Sequence, residues 1–162
     1  MMLVDSQLWV YYYDVHADEH ENVVIWLDQT IKTEAILIPT IIPVEVSHVL
    51  FTPREGKRVD KGRVELALQH LTALSRAQIV PLDEQIMDES IKIVKDKRDL
   101  GIGGRDAVIL ATMAREKVLA IATHDRNLLS LKQYKRIDPT FNPPMELDVG
   151  AEFSPHKLKK HT

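Results

Sequence analysis

The sequence predicts a three-layer α/β/α fold, with helices on both faces of a mostly parallel sheet of four to five short strands. Two observations carry that expectation. Short apolar runs alternate with segments of helical periodicity along most of the chain, the signature of parallel strands joined by helical crossovers. The chain has 162 residues, of which 44 % are hydrophobic and 28 % charged. That suits one globular domain with a sizeable core and argues against both two domains and global disorder.

Taken in order, "MMLV" reads as the first strand. "EHENVVIWLDQTIK" places Val23, Trp26, Leu27 and Ile31 at helical spacing, and "AILI" follows as a strand stopped by Pro39. "PVEVSHVL" reads as a helix with Thr40 as N-cap and Pro43 tolerated in the first turn. "VDKGRVELALQHLTALS" is an amphipathic helix and "AQIVPL" a strand, after which "DEQIMDESIKIVKDK" is a helix whose acidic opening suits its dipole. "GIGGRDAVILATMARE" supplies a helix from about Arg105, "KVLAIAT" the most strand-like segment, and "KRIDPTF" an edge strand. The domain is expected over residues 1–141. From Asn142 periodicity stops and prolines mix with charge, so residues 142–162 read as a loose C-terminal tail.

Several classes of function are excluded or disfavoured. With no cysteine there is no disulfide framework, thiolate metal site or cysteine nucleophile, and a reducing cytoplasm fits. Asp5 interrupts the apolar N-terminus, which has no basic leader, and no window reaches the roughly 20 apolar residues of a membrane span. The expectation is a cytoplasmic protein without a membrane partner. A net charge of −3 gives no global attraction to nucleic acid, so such binding needs a local basic patch or bound cations.

Most acidic residues fall on helix starts or solvated faces, but four do not. Asp5 directly follows the first strand, at the sheet edge where α/β proteins place ligands, although an Asp there also suits a helix cap. Glu45 shares a helical face with Ile41, Ile42 and Val49, and an unpaired carboxylate on a core face costs several kcal/mol or more. Asp106 precedes Ile109, Leu110 and Met113 on its own face, though an Asp in a first helical turn is also favourable electrostatically. Asp125 lies just beyond "VLAIAT", as Asp5 lies beyond "MMLV", and again suits a cap. All four converge on one rim of the sheet. Their mutual repulsion, on the order of kcal/mol per pair, makes the cluster sensible as a cation site, and oxygen-only ligands select Mg²⁺ or Mn²⁺ over Zn²⁺.

The blocks "MLVDSQLWVYYYD", "IPVEVSHVL", "GGRDAVILATMARE" and "LAIATHDRNL", in that order, resemble the four acidic blocks of a PIN domain, most nearly the prokaryotic toxin ribonucleases of the VapC type. The resemblance runs from Met1 to about Thr140. It implies that Asp5, Glu45, Asp106 and Asp125 bind divalent metal and support hydrolysis of RNA phosphodiesters, leaving 5′-phosphates. Thr123 matches the hydroxyl residue of the last block, with Ser6 and Asn127 as further supporting residues. It also implies a homodimer and an antitoxin protein as partner, in a type II toxin–antitoxin system. Three positions depart from the family pattern: Gln7 stands where Asn is usual, Asn127 where a second acid is common, and Leu128 where a bulky aromatic follows.

In this reading one or two Mg²⁺ or Mn²⁺ ions activate and orient a water and neutralise charge on the scissile phosphate. RNA contacts fall to Arg54, Lys57, Arg58, Lys61 and Arg63 in the densest basic stretch, and to Arg105, although a solvated loop accounts equally for the stretch. "HKLKKHT" is basic as well. "WVYYYD" offers rings that could stack on bases, while Trp9 and Tyr12 at helical spacing fit a core or subunit contact better. His124 reads as a solvent-facing loop histidine. "GIGG" lacks the Lys-Ser/Thr of a phosphate loop and reads as a flexible entry that aims Asp106 inward. Two other functions stay open: a PIN-like module that binds RNA or protein with weak or no catalysis, and a phosphotransfer enzyme with an Asp nucleophile. The latter lacks a second Asp two residues after Asp5, where Gln7 stands.

Overall fold

The computed structural model describes residues 1–52 and 60–154. In chain order the elements are β1 (Met2–Val4), α1 (Ser6–Tyr13), α2 (His20–Thr33), β2 (Ile36–Pro39), α3 (Ile41–Phe51), α4 (Lys61–Thr72), β3 (Ala77–Val80) and α5 (Glu84–Lys97). A single 3₁₀ turn (Arg98–Leu100) leads to α6 (Gly104–Arg115), β4 (Ala120–Ala122), α7 (Arg126–Leu129), β5 (Lys135–Asp138) and β6 (Met145–Leu147).

The sheet order is β3-β2-β1-β4-β5-β6, parallel throughout except for the antiparallel β5–β6 pair. The chain builds outward from β1 through β2 to β3, then returns to lay β4 on the other side of β1. Right-handed crossovers therefore set the helices before β3 and those after it on opposite faces. The strand order reverses between β1 and β4, and in open α/β sheets ligands bind in the crevice at that reversal, beyond the carboxyl ends of the strands.

β1 and β2 are buried along their whole length, as strands covered on both faces must be. Leu3, Val4, Leu37, Ile38, Ile121 and Ala122 meet Leu8, Trp9 and Leu27 from α1 and α2, and Ile109, Leu110 and Met113 from α6. Each such aliphatic side chain contributes about 1.5–3 kcal/mol on burial. Trp9 is fully buried, as its spacing suggested.

The C-terminal segment departs from the sequence expectation. Residues 142–154 are not a loose tail: β6 pairs with β5 as a sixth strand, so β5 is not an edge strand and the sheet exceeds four to five strands. Arg136 is the physical reason. Its fully buried guanidinium donates from Nη1 to the Leu129 carbonyl at 3.1 Å and from Nη2 to the Asp148 and Ala151 carbonyls at 2.8 and 3.0 Å. A buried cation needs such acceptors, and the segment supplies two of them. Thr40 also differs. It sits at the α3 N-cap position, but its hydroxyl accepts from the Leu82 N–H at 3.1 Å and makes no capping bond.

Candidate acidic pocket at the strand reversal

Beyond the ends of β1 and β4 lies a cavity of about 660 Å³. Its lining includes Asp5, Ser6, Gln7 and Tyr11 from the β1–α1 junction, Glu45 and His48 from α3, Arg105 and Asp106 from α6, and Asp125 after β4. The four carboxylates that the sequence singles out therefore face one space, delivered by four different elements.

Asp5 is only 7 % exposed. It stands at the N-cap position of α1 but closes no capping bond; its Oδ2 accepts from the Thr123 hydroxyl at 2.7 Å. Ser6 Oγ lies 3.4 Å from Oδ1. Burial pushes the carboxyl up to about 6, against the Thr123 hydroxyl and Ser6 N–H, and the charges of Glu45 and Asp106 push the same way as burial. Thr123 is itself fully buried and accepts from the Asp125 N–H at 3.0 Å, so one hydroxyl ties the β1 acid to the β4 acid.

Asp125 does cap α7, with Oδ1 accepting from the Asn127 and Leu128 N–H groups at 2.7 and 3.2 Å. Asp106 Oδ2 accepts from the Gly103 N–H at 3.0 Å, while Ile109, Leu110 and Met113 pack into the core on the same helical face. Burial raises its pKa; the Gly103 bond opposes that shift, Asp125 reinforces it and Arg105 opposes it. Glu45 has a side chain 10 % exposed, and Arg105 Nε lies 2.9 Å from its Oε1. The N–H is not aligned on that oxygen, which is buried without a hydrogen bond.

The four carboxylates offer oxygen donors, with an orphaned buried Oε1 on Glu45, and that chemistry fits a hard divalent cation. The spacing is that of side chains held by other partners. Among the described residues no three His, Cys, Asp or Glu side chains are arranged, as they stand, to hold a metal ion.

The other predicted residues separate. Asn127 does not line the cavity: its Nδ2 donates to the Gly101 carbonyl at 3.1 Å, docking the glycine loop onto the Asp125 turn. Gly101 has φ +74°, a left-handed backbone that favours glycine, and a Cβ there would also displace the Asn127 amide, whose Nδ2 it would meet at 2.7 Å. Gly104 opens α6 with nothing near its missing Cβ. Arg63 lines a separate hollow with Tyr12, Tyr13, Leu66, Ala67 and His70, and Lys61 is exposed at the start of α4. Arg54, Lys57, Arg58 and "HKLKKHT" lie outside the described residues.

Two arrangements were not foreseen from the sequence. Gln7 Nε2 donates to the Tyr11 hydroxyl at 2.6 Å, a contact that the spacing of four on α1 could have signalled. His124 stands in the loop after β4 with its side chain 31 % exposed, but it is tethered there and does not simply face solvent. Its Nδ1 lies 2.8 Å from Oδ2 of the fully buried Asp138, whose Oδ1 takes the Thr140 hydroxyl and N–H at 2.8 and 3.1 Å. No local period links positions 124 and 138. Among the described residues, no helix is long and apolar enough to cross a membrane.

A PIN domain family model matches residues 2–134. No curated protein sequence matches. Solved structures share the fold, among them these three. A VapBC2 complex from Rickettsia felis, bound to a DNA fragment from its promoter, aligns at TM-score 0.59 and 18 % identity over 83 % of this chain and 96 % of that one. FitAcB from Neisseria gonorrhoeae aligns at TM-score 0.61 and 20 % identity over 86 % and 98 %. Mycobacterium tuberculosis VapC20, described as a sarcin-ricin loop cleaving toxin, aligns at TM-score 0.62 and 11 % identity over 75 % and 87 %.

Proposed function

The chain belongs to the PIN domain family, and on that premise we propose that it is a divalent-metal-dependent endoribonuclease. The observation that carries the proposal is the delivery of Asp5, Glu45, Asp106 and Asp125 from four elements into one cavity at the strand reversal. These four residues would hold one or two Mg²⁺ or Mn²⁺ ions. Such an ion supplies water activation and charge neutralisation at a phosphodiester.

The protein's own part is to hold the acids ready. The Thr123 hydroxyl fixes Asp5 and, through the Asp125 N–H, the start of the turn that carries the β4 acid. Asn127 and Gly101 lock that turn to the loop leading into α6, so Asp106 and Asp125 are set relative to each other by backbone. Arg105 is the cation at the cavity wall and would contact an RNA phosphate. The likeness to toxin–antitoxin complexes supports an antitoxin as partner, with this chain as the toxin; a homodimer in the cytoplasm is the remaining part of the proposal.

The test is incubation with structured and single-stranded RNA plus Mg²⁺ or Mn²⁺. The wild type is expected to cut. Asp106→Asn should lose more than the roughly 10- to 100-fold expected for Thr123→Val, which removes only a residue that orients a ligand. Absence of cleavage across a broad RNA panel, or equal cutting by Asp106→Asn, overturns the assignment. A module that binds without cutting is the competing reading, favoured by Asn127, which serves the glycine loop and not the cavity. It predicts no carboxylate-dependent Mn²⁺ binding at millimolar levels or below.

A further inference from the structure

Glu45 is a nearly buried carboxylate whose Oε1 is shut off from solvent and takes no hydrogen bond. A carboxylate in that state needs a cation. Among the described residues the one it has is Arg105, at 2.9 Å, yet the Arg105 side chain is 68 % exposed and its N–H does not point along the contact. Two other arginines are held by formed bonds: Arg115 donates to both Asp83 and Glu116, and Arg136 to three carbonyls. Arg105 thus supplies charge to the pocket without being locked into it.

Arg105 is also the chain neighbour of Asp106, so one guanidinium stands beside two of the four acids. Its charge opposes the rise in the Asp106 pKa. A divalent ion drawing on Glu45 and a guanidinium 2.9 Å from the same carboxylate would repel each other. The exposed, unaligned cation is the one free to leave, because its guanidinium is already largely in water and no formed hydrogen bond holds it.

We propose that Arg105 is a resident counter-cation of the acidic pocket, seated on Glu45 until a divalent metal ion displaces it, and that this competition sets the metal affinity of the site. The inference rests on the metal-dependent reading above.

The experiment is calorimetric titration of Mn²⁺ into the wild type, Arg105→Ala, Glu45→Gln and the double variant, without RNA. Thermal melts confirm that each is folded. Arg105→Ala should bind Mn²⁺ about three- to fivefold more tightly, roughly 0.6–1 kcal/mol at 1.36 kcal/mol per tenfold. In the Glu45→Gln background the same substitution should change affinity by less than about twofold, which separates competition at Glu45 from a general loss of positive charge. Unchanged or weaker binding by Arg105→Ala, or an equal gain in both backgrounds, overturns the inference and leaves the metal site standing. Absence of Mn²⁺ binding in the wild type and Arg105→Ala alike overturns the metal reading itself, and this inference with it.

Discussion

Asp5 at the end of β1 and Asp138 at the end of β5 are both buried acids on one sheet, 7 % and 0 % exposed. Asp138 is surrounded by donors: His124 Nδ1, the Thr140 hydroxyl and the Thr140 N–H all reach its oxygens. Asp5 has the Thr123 hydroxyl at 2.7 Å, the Ser6 N–H, a distant Ser6 hydroxyl, and two carboxylates whose charge adds to the push of burial. A fold can satisfy a buried acid fully, and this one does so one strand past β4. Leaving Asp5 under-satisfied therefore reads as a functional expense and not a failure of packing.

Breaking the satisfied corner should have the largest effect. Asp138→Ala strands the His124 and Thr140 donors and is expected to destabilise the protein by about 3–5 kcal/mol, measured by chemical denaturation. Loss of under 1 kcal/mol would mean that the two corners do not differ as described.

Relieving the unsatisfied corner should do the opposite. The Asp5 carboxyl is raised from 3.8 to about 6, so the folded state holds that proton more tightly than the unfolded chain. The proton's stabilising contribution is complete below pH 3.8 and is lost as pH rises through about 6. At 1.36 kcal/mol per pKa unit, ionised Asp5 costs up to about 3 kcal/mol at neutral pH. Asp5→Asn should recover much of that at pH 7.5 and almost none at pH 3.5, while abolishing cleavage. Equal stability of the two proteins at pH 7.5 would contradict the assigned strain.

The smallest effect sharpens the contrast. The Asp138 hydrogen bond, partly offset by burial, raises the His124 pKa above its ordinary 6.5. The stability drawn from a charged His124 is therefore fully present below pH 6.5 and fades as pH rises through the folded value. The stability difference between the wild type and His124→Gln should shrink from pH 5.5 to pH 8.5. A difference that is flat with pH would show the pair to be neutral throughout.

Legibility in the sequence followed locality. The apolar runs of β1, β2 and β4 and the periodicity of α2 and α5 each specify their own element, and the positions of Asp5 and Asp125 after strands pointed to one rim. What stayed hidden depends on partners distant in sequence. β6 is three residues long and without pattern, and its place is fixed by pairing with β5 and by Arg136 reaching Asp148 and Ala151. His124 meets Asp138 across 14 positions that include α7, and Asn127 meets Gly101 across 26. Glu45 was legible as an acid on a core face that needs a cation. That its neighbour is Arg105, charged but unaligned, is a property of how α3 and α6 are brought together.

β6 also bears on how the molecule behaves in a crowd of its own copies. Without it, β5 would offer a full row of unpaired main-chain donors and acceptors at the sheet margin, a template on which a second chain could add a strand. With it, the margin is a three-residue strand carrying Glu146, paired to Lys135 at 2.8 Å. A short, charged margin is a poor template for edge-to-edge pairing. The C-terminal segment thus acts as a built-in guard against aggregation, held in place by a buried arginine.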